Sequence, residues 1–154
     1  MLFLWQSNRI TIHIDGAARG NPGPASVGVV IQVAPDARPL HIGRFLGTRT
    51  NNQAEYEALL TALCELVRRQ ETQSPVALPP EIVIRTDSEL LFSQMTGRYR
   101  IKDRQLGELA WEARKLMNRL PKVTFERIPR TENREADKVA NRALDRALNL
   151  RSQA

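Results

Sequence analysis

The hydrophobic pattern changes period once in the first half of the chain, and that change constrains the fold more than any other feature. Residues 9–15, RITIHID, alternate Ile10, Ile12 and Ile14 with Thr11, His13 and Asp15, the period-two pattern of a strand. After the turn-rich stretch GAARGNPGPAS, Val27–Val33 reads as a second strand. Pro35-Asp36 and Pro39 break it, and His41–Thr48 reads as a third. From Asn52 to about Gln70 the spacing becomes helical, with Ala58, Leu59, Ala62, Leu63, Leu66 and Val67 on one stripe. Three strands joined by short connections predict an antiparallel meander, followed by a helix.

The second half alternates the two periods. Residues 71–80, ETQSPVALPP, read as a connecting loop. In Glu81–Thr86 the unbroken run Ile82-Val83-Ile84 suits a strand buried on both faces. Ser88–Thr96 reads as a short helix closed by Gly97, Leu106–Leu120 as another, and Lys122–Ile128 as the last strand. A final stripe from Ala136 to Leu148 predicts a long helix. The order βββαβααβα implies an α/β domain: one five-stranded mixed sheet, three antiparallel strands then two parallel ones, flanked by helices. Its cleft belongs at the carboxyl ends of the parallel strands. The domain is expected to span 9–150, with short tails at 1–8 and 151–154.

At 154 residues, 42% hydrophobic and 26% charged, the chain has the size and composition of one globular domain, which excludes disordered, fibrous and membrane classes. The single cysteine, Cys64, allows no intrachain disulfide or cysteine-cluster zinc site and fits a reducing compartment. Leu2-Phe3-Leu4-Trp5 is too short for a signal-peptide core, so a soluble, cytoplasmic protein is expected. Charge is uneven. Residues 1–97 carry 8 basic and 9 acidic side chains, whereas residues 98–154 carry 15 basic and 8 acidic ones. A half so rich in Arg suits an anionic polymer, most simply nucleic acid, although a solvated basic surface has the same composition.

Four acids occupy positions that simple solvation does not explain. Asp15 ends the first strand, and Asp87 ends the apolar strand. Glu55 and Asp137 sit at helix starts, Glu55 in register with the buried stripe of its helix and Asp137 on the edge of its own. Each has an ordinary alternative. Asp15-Gly16 suits a turn, Asp87 a helix cap, Asn52-x-x-Glu55 a capping box, and Asp137 a surface pair with Arg134 or Lys138. Taken together they converge on one charged place, and clustered carboxylates invite cations. Oxygen-only ligands favour Mg²⁺ or Mn²⁺ over zinc.

The segments IDGAARGNPGPASVG, TNNQAEYEAL, RTDSELL and ENREADKVAN follow one another in the order of the four acidic motifs of type 1 ribonuclease H. The chain resembles that family from about Arg9 to Leu148. The resemblance implies that Asp15, Glu55, Asp87 and Asp137 are the catalytic, metal-binding carboxylates. It also implies hydrolysis of the RNA strand of an RNA–DNA hybrid, leaving 5′-phosphate and 3′-hydroxyl ends. Two Mg²⁺ ions about 4 Å apart would clamp the scissile phosphate, with Mn²⁺ as an alternative. Asp15 would bridge them, and Glu55 would lie near the 2′-hydroxyl that distinguishes RNA from DNA.

Gly20-Asn21-Pro22-Gly23-Pro24 and Thr50-Asn51-Asn52 match the family's substrate loops, where side-chain amides and backbone N–H groups hold phosphates without reading sequence. Gly16, Asn21, Thr50, Asn51, Asn52, Ser88, Arg130 and Asn133 are the implied substrate contacts. On composition alone an ordinary β-turn is the better account of the first loop, and helix capping of the asparagines is compatible with substrate contact.

The chain departs from the family at two places. The loop Arg127–Asn133 lacks the histidine many members carry, and Arg130 there can contact a phosphate but not shuttle a proton. Only Arg98–Arg104 stands where some members have a long basic protrusion. His13, His41, Cys64 and Trp111 are read as structural, with Cys64 and Trp111 in the core. The expected protein is a monomeric enzyme with no organic cofactor. The alternatives are a non-catalytic module that binds hybrid or double-stranded RNA, and a relaxed nuclease that also cuts double-stranded RNA.

Overall fold

The computed structural model describes residues 9–72 and 79–152. The expected tail 1–8, with Trp5, and residues 153–154 lie outside the described residues, as does most of the 71–80 loop. Strands β1 (Arg9–Ala18), β2 (Gly23–Gln32) and β3 (Leu40–Arg49) lead into helix α1 (Asn51–Thr72). Then follow β4 (Glu81–Thr86), α2 (Glu89–Met95), α3 (Arg104–Met117) and β5 (Lys122–Arg127). A 3-10 turn, Arg130–Glu132, precedes α4 (Arg134–Ser152). The expected element order is borne out; the 3-10 turn is an addition.

The sheet order is β3-β2-β1-β4-β5. β2 pairs antiparallel with both β1 and β3, while β4 pairs parallel with both β1 and β5. The period-two reading of β1 predicts which residues go inside. Ile10, Ile12 and Ile14 are fully buried and share a core with Leu59, Leu63 and Leu66 of α1. Ile82, Val83 and Ile84 are buried too, as an unbroken apolar run in a strand flanked on both sides requires. Helix α3 packs on α1, outside the sheet. The opposite face of β1, β2 and β3 is covered by α4.

Two close approaches set those helices. A Cβ on Gly16 would lie 2.3 Å from the Ala54 carbonyl carbon, so only glycine lets β1 touch the start of α1. A Cβ on Gly28 would lie 2.1 Å from the Ala136 carbonyl oxygen, and the same holds there for α4. Beside it the buried Ser26 hydroxyl donates to the Ala140 carbonyl at 2.5 Å.

Three expectations need correction. β1 does not end at Asp15: it continues to Ala18, with Gly16 opposite Val27, so Asp15-Gly16 is strand and not turn. Trp111 is 63% exposed, because α3 buries Leu106, Ala110 and Ala113 and the next residue along points about 100° away. Cys64 is exposed for the same reason, one position past the buried Leu63. Among the described residues no helix is long and apolar enough to cross a membrane.

Candidate active site

The ladder between β1 and β4 ends at the pair His13–Arg85. Asp15 and Asp87 each lie two residues further on. With a side-chain period of two, they stay on one face while the strands part. This is where the order of connections reverses across the sheet, the place at which open α/β folds form a crevice.

Glu55 reaches the same point from just past the first turn of α1. The capping box with Asn52, the ordinary alternative for Glu55, does not form. Thr50 caps the helix instead: its Oγ1 accepts from the Gln53 N–H at 3.1 Å, and Gln53 Oε1 accepts from the Thr50 N–H at 2.9 Å. Glu55 is thereby released from capping, and its Oε1 accepts from the Gly16 N–H at 3.0 Å. Asp87 is released likewise, because Ser88 caps α2, its Oγ accepting from the Leu91 N–H at 3.1 Å.

Asp15, Glu55 and Asp87 each offer a carboxylate oxygen, all within 4.8 Å of one another. Burial, with the charges of Glu55 and Asp87, pushes the Asp15 carboxyl up to about 10. Burial also raises Glu55, to about 7, against the Gly16 N–H that favours its charged form. Among the described residues Glu55 Oε2 is buried with no hydrogen-bond partner. A buried, unpartnered carboxylate oxygen beside two further carboxylates fits a hard divalent cation.

Asp137, expected at the edge of its helix's apolar stripe, is exposed and lies outside this tight trio. It stands on the cleft rim in the first turn of α4 and adds to the raising of the Asp15 carboxyl.

The cleft has a volume of about 640 Å³. All four carboxylates line it, with Gly16, Asn51, Asn52, Ser88 and Arg130 from the expected substrate contacts. Asn21 and Thr50 line a smaller adjoining depression of about 230 Å³, which Asn52 shares. Asn21 also holds the fold together locally, since its Oδ1 accepts from the Asn51 N–H at 2.9 Å and so ties the β1–β2 turn to α1. Asn133 is different. It is 1% exposed, and its amide donates to the Ile14 carbonyl at 2.9 Å and to Asp87 Oδ2 at 3.2 Å. It satisfies the carbonyl that β4 abandons and orients a carboxylate from behind.

Sequence reading misses Asn141, which also lines the cleft; it lies one helical turn past Asp137, a spacing that could have drawn attention to it. Glu89 lines the cleft as well.

Comparisons with known proteins agree with this geometry. The family described as reverse transcriptase-like matches residues 13–143. A ribonuclease HI of Halobacterium salinarum is 37% identical over 142 residues, covering 92% of this chain and 67% of that protein. The chain spans only 36% of the length of a bifunctional protein of Mycobacterium tuberculosis, to which it is 35% identical over 90% of itself. The crystal structure of LC11-RNase H1 in complex with an RNA/DNA hybrid matches with a TM-score of 0.80 and 41% identity, over 90% of this chain and 99% of that one. On the matched span, the identity and the shared fold, this chain belongs to the reverse transcriptase-like family, as a member of the ribonucleases H.

Proposed function

We propose that the chain is a metal-dependent endoribonuclease that hydrolyses the RNA strand of RNA–DNA hybrids, leaving 5′-phosphate and 3′-hydroxyl ends. The observation that carries this is the convergence of Asp15, Glu55 and Asp87 at a cleft floor, with one Glu55 oxygen unpartnered. The resemblance of the whole domain to a relative solved with a hybrid supports the substrate. Asp15, Glu55, Asp87 and Asp137 would hold two Mg²⁺ ions, or Mn²⁺. When bound, these ions supply charge neutralisation at the scissile phosphate and acidify the attacking water.

The chain's own residues do the rest. Gly16 fixes Glu55 through its N–H, and Asn133 fixes Asp87, so both carboxylates are aimed before substrate arrives. Asn51 and Asn52, exposed at the start of α1, present amides to the sugar-phosphate backbone. Asn21 and Thr50, in the adjoining depression, extend that contact, and Gly16 and Ser88 line the floor. Arg130, exposed on the rim, offers a permanent cation to a phosphate. It acts there by charge and not by proton transfer. The domain is taken as residues 9–150, working as a monomer in the cytoplasm without an organic cofactor.

The test is cleavage of a labelled hybrid with Mg²⁺, with and without chelator, beside Asp15→Asn and with double-stranded RNA and DNA of the same sequence. Metal-dependent cutting of the hybrid's RNA strand, lost in the variant, is expected. Tight binding of hybrid by folded protein with no cutting in Mg²⁺ or Mn²⁺ would leave only a binding module.

A further inference from the structure

Asp137 is the one carboxylate of the four that stands exposed; Asp15 and Glu55 are buried, and Asp87 is half-buried and held by the Asn133 amide. An exposed aspartate in the first turn of a helix has several open rotamers, and selecting one costs entropy. Two side chains beyond the four acids bear on it. Asn141 Nδ2 donates to Asp137 Oδ1 at 3.1 Å and to the Asp137 carbonyl at 3.0 Å. From across the cleft rim Arg19, in the turn after β1, sets Nη2 at 3.4 Å from Asn141 Oδ1 and 2.6 Å from Asp145 Oδ1. With its oxygen held by the guanidinium, the Asn141 amide is oriented with its NH₂ toward Asp137.

We propose that Arg19 and Asn141 act as positioning residues that hold Asp137 in its metal-binding orientation, with Asp145 anchoring the arginine. The inference rests on the nuclease reading above. The chain runs from strand to helix: β1 carries Asp15, its following turn carries Arg19, and the guanidinium fastens that turn to the helix bearing Asp137. One segment thus places one carboxylate directly and another through a side chain. Arg19 and Asp145 are 44% and 58% exposed, so as an ion pair they add little stability. A purely structural role therefore predicts a slight loss of stability and an unchanged metal requirement. A positioning role predicts the reverse emphasis, since partners that orient metal-binding side chains typically govern about 10- to 100-fold in metal affinity or activity.

The experiment compares wild type with Arg19→Gln, Asn141→Ala and the double variant. For each, the Mg²⁺ concentration for half-maximal hybrid cleavage and the KM for hybrid at saturating Mg²⁺ are measured. The gain in hybrid affinity on adding Ca²⁺, read by fluorescence anisotropy, gives a measure independent of turnover. Each single variant should need about 10-fold more Mg²⁺ and lose most of the Ca²⁺-dependent gain, with KM unchanged. The double variant should be no worse than the poorer single one, because the two act in series. Arg19→Lys, which keeps the charge but not the fork, should recover part of the loss. An unchanged Mg²⁺ requirement would overturn the proposal. So would a raised KM alone, which would make Arg19 a direct contact to the hybrid. If wild type itself shows no metal-dependent cleavage, the nuclease reading fails and this inference fails with it.

Discussion

Gly28→Ala is the substitution that most directly tests how the fold carries Asp137. The new Cβ would stand 2.1 Å from the Ala136 carbonyl oxygen and 2.6 Å from the Ala140 nitrogen. Ordinary carbon contacts lie at about 3.5 Å, so the helix must retreat by more than about 1 Å. Both obstructing atoms are helix backbone, which cannot yield by rotating a side chain; α4 must move as a body. Forcing an extra methyl into such a contact costs about 1–3 kcal/mol. Drawing Ala140 away from the Ser26 hydroxyl adds roughly 1 kcal/mol for a buried hydrogen bond. A loss of about 3 kcal/mol leaves the domain folded, since domains of this size are stable by roughly 5–15 kcal/mol. Urea unfolding should register it. Because Asp137 lies one residue past Ala136, it moves with the helix, and a misplacement of about 1 Å at a reacting centre can cost about 100-fold in kcat. Gly43→Ala is the internal control. Its Cβ would meet the same helix at 3.1 Å from the Val139 carbonyl oxygen, so it should cost well under half as much and leave kcat within a few fold. Equal unfolding midpoints for wild type and Gly28→Ala, with full activity, would refute the idea that this glycine sets the helix.

The crowded carboxylates predict a pH signature in metal-free protein. Asp15 holds its proton in the fold up to about 10 but releases it near 3.8 when unfolded. Between those values the native state binds the extra proton, so stability falls as pH rises. In chelator, Asp15→Asn should therefore gain on wild type in Tm from pH 5 to pH 8, and Mg²⁺ should narrow the gap; a gap independent of pH would contradict the crowding. Asn133→Leu removes the donor to Asp87 and leaves the Ile14 carbonyl buried without a partner. It should cost about 1–3 kcal/mol in urea unfolding and lower kcat by about 10- to 100-fold; wild-type kcat in a destabilised variant would limit Asn133 to a structural role.

The order of elements, the class of the sheet and the four acids were legible in the chain because each rests on local periodicity. Ile10, Ile12 and Ile14 declare a strand face by alternation, and the Ile82-Val83-Ile84 run declares a central strand. Spacing alone could not separate competing uses of the same residue. Asn52-x-x-Glu55 and Thr50-x-x-Gln53 are both capping-box spacings, and only the fold shows that the second forms and so releases Glu55. Asn133 matched a substrate motif, yet burial turned its amide inward onto Ile14 and Asp87. Trp111 and Cys64 have core chemistry, but each lies one residue, about 100°, off a buried stripe.

What the sequence determined by itself is therefore what near neighbours dictate: strand, helix, turn, and which acid each of four elements brings. The tertiary structure decided which of those acids are buried together, which caps leave them free, and which partners aim them. Those outcomes depend on contacts between residues far apart in the chain, Gly16 with Glu55, Gly28 with Ala136 and Arg19 with Asn141. No local period encodes such a contact; it exists only once the sheet and its two covering helices have fixed the distances.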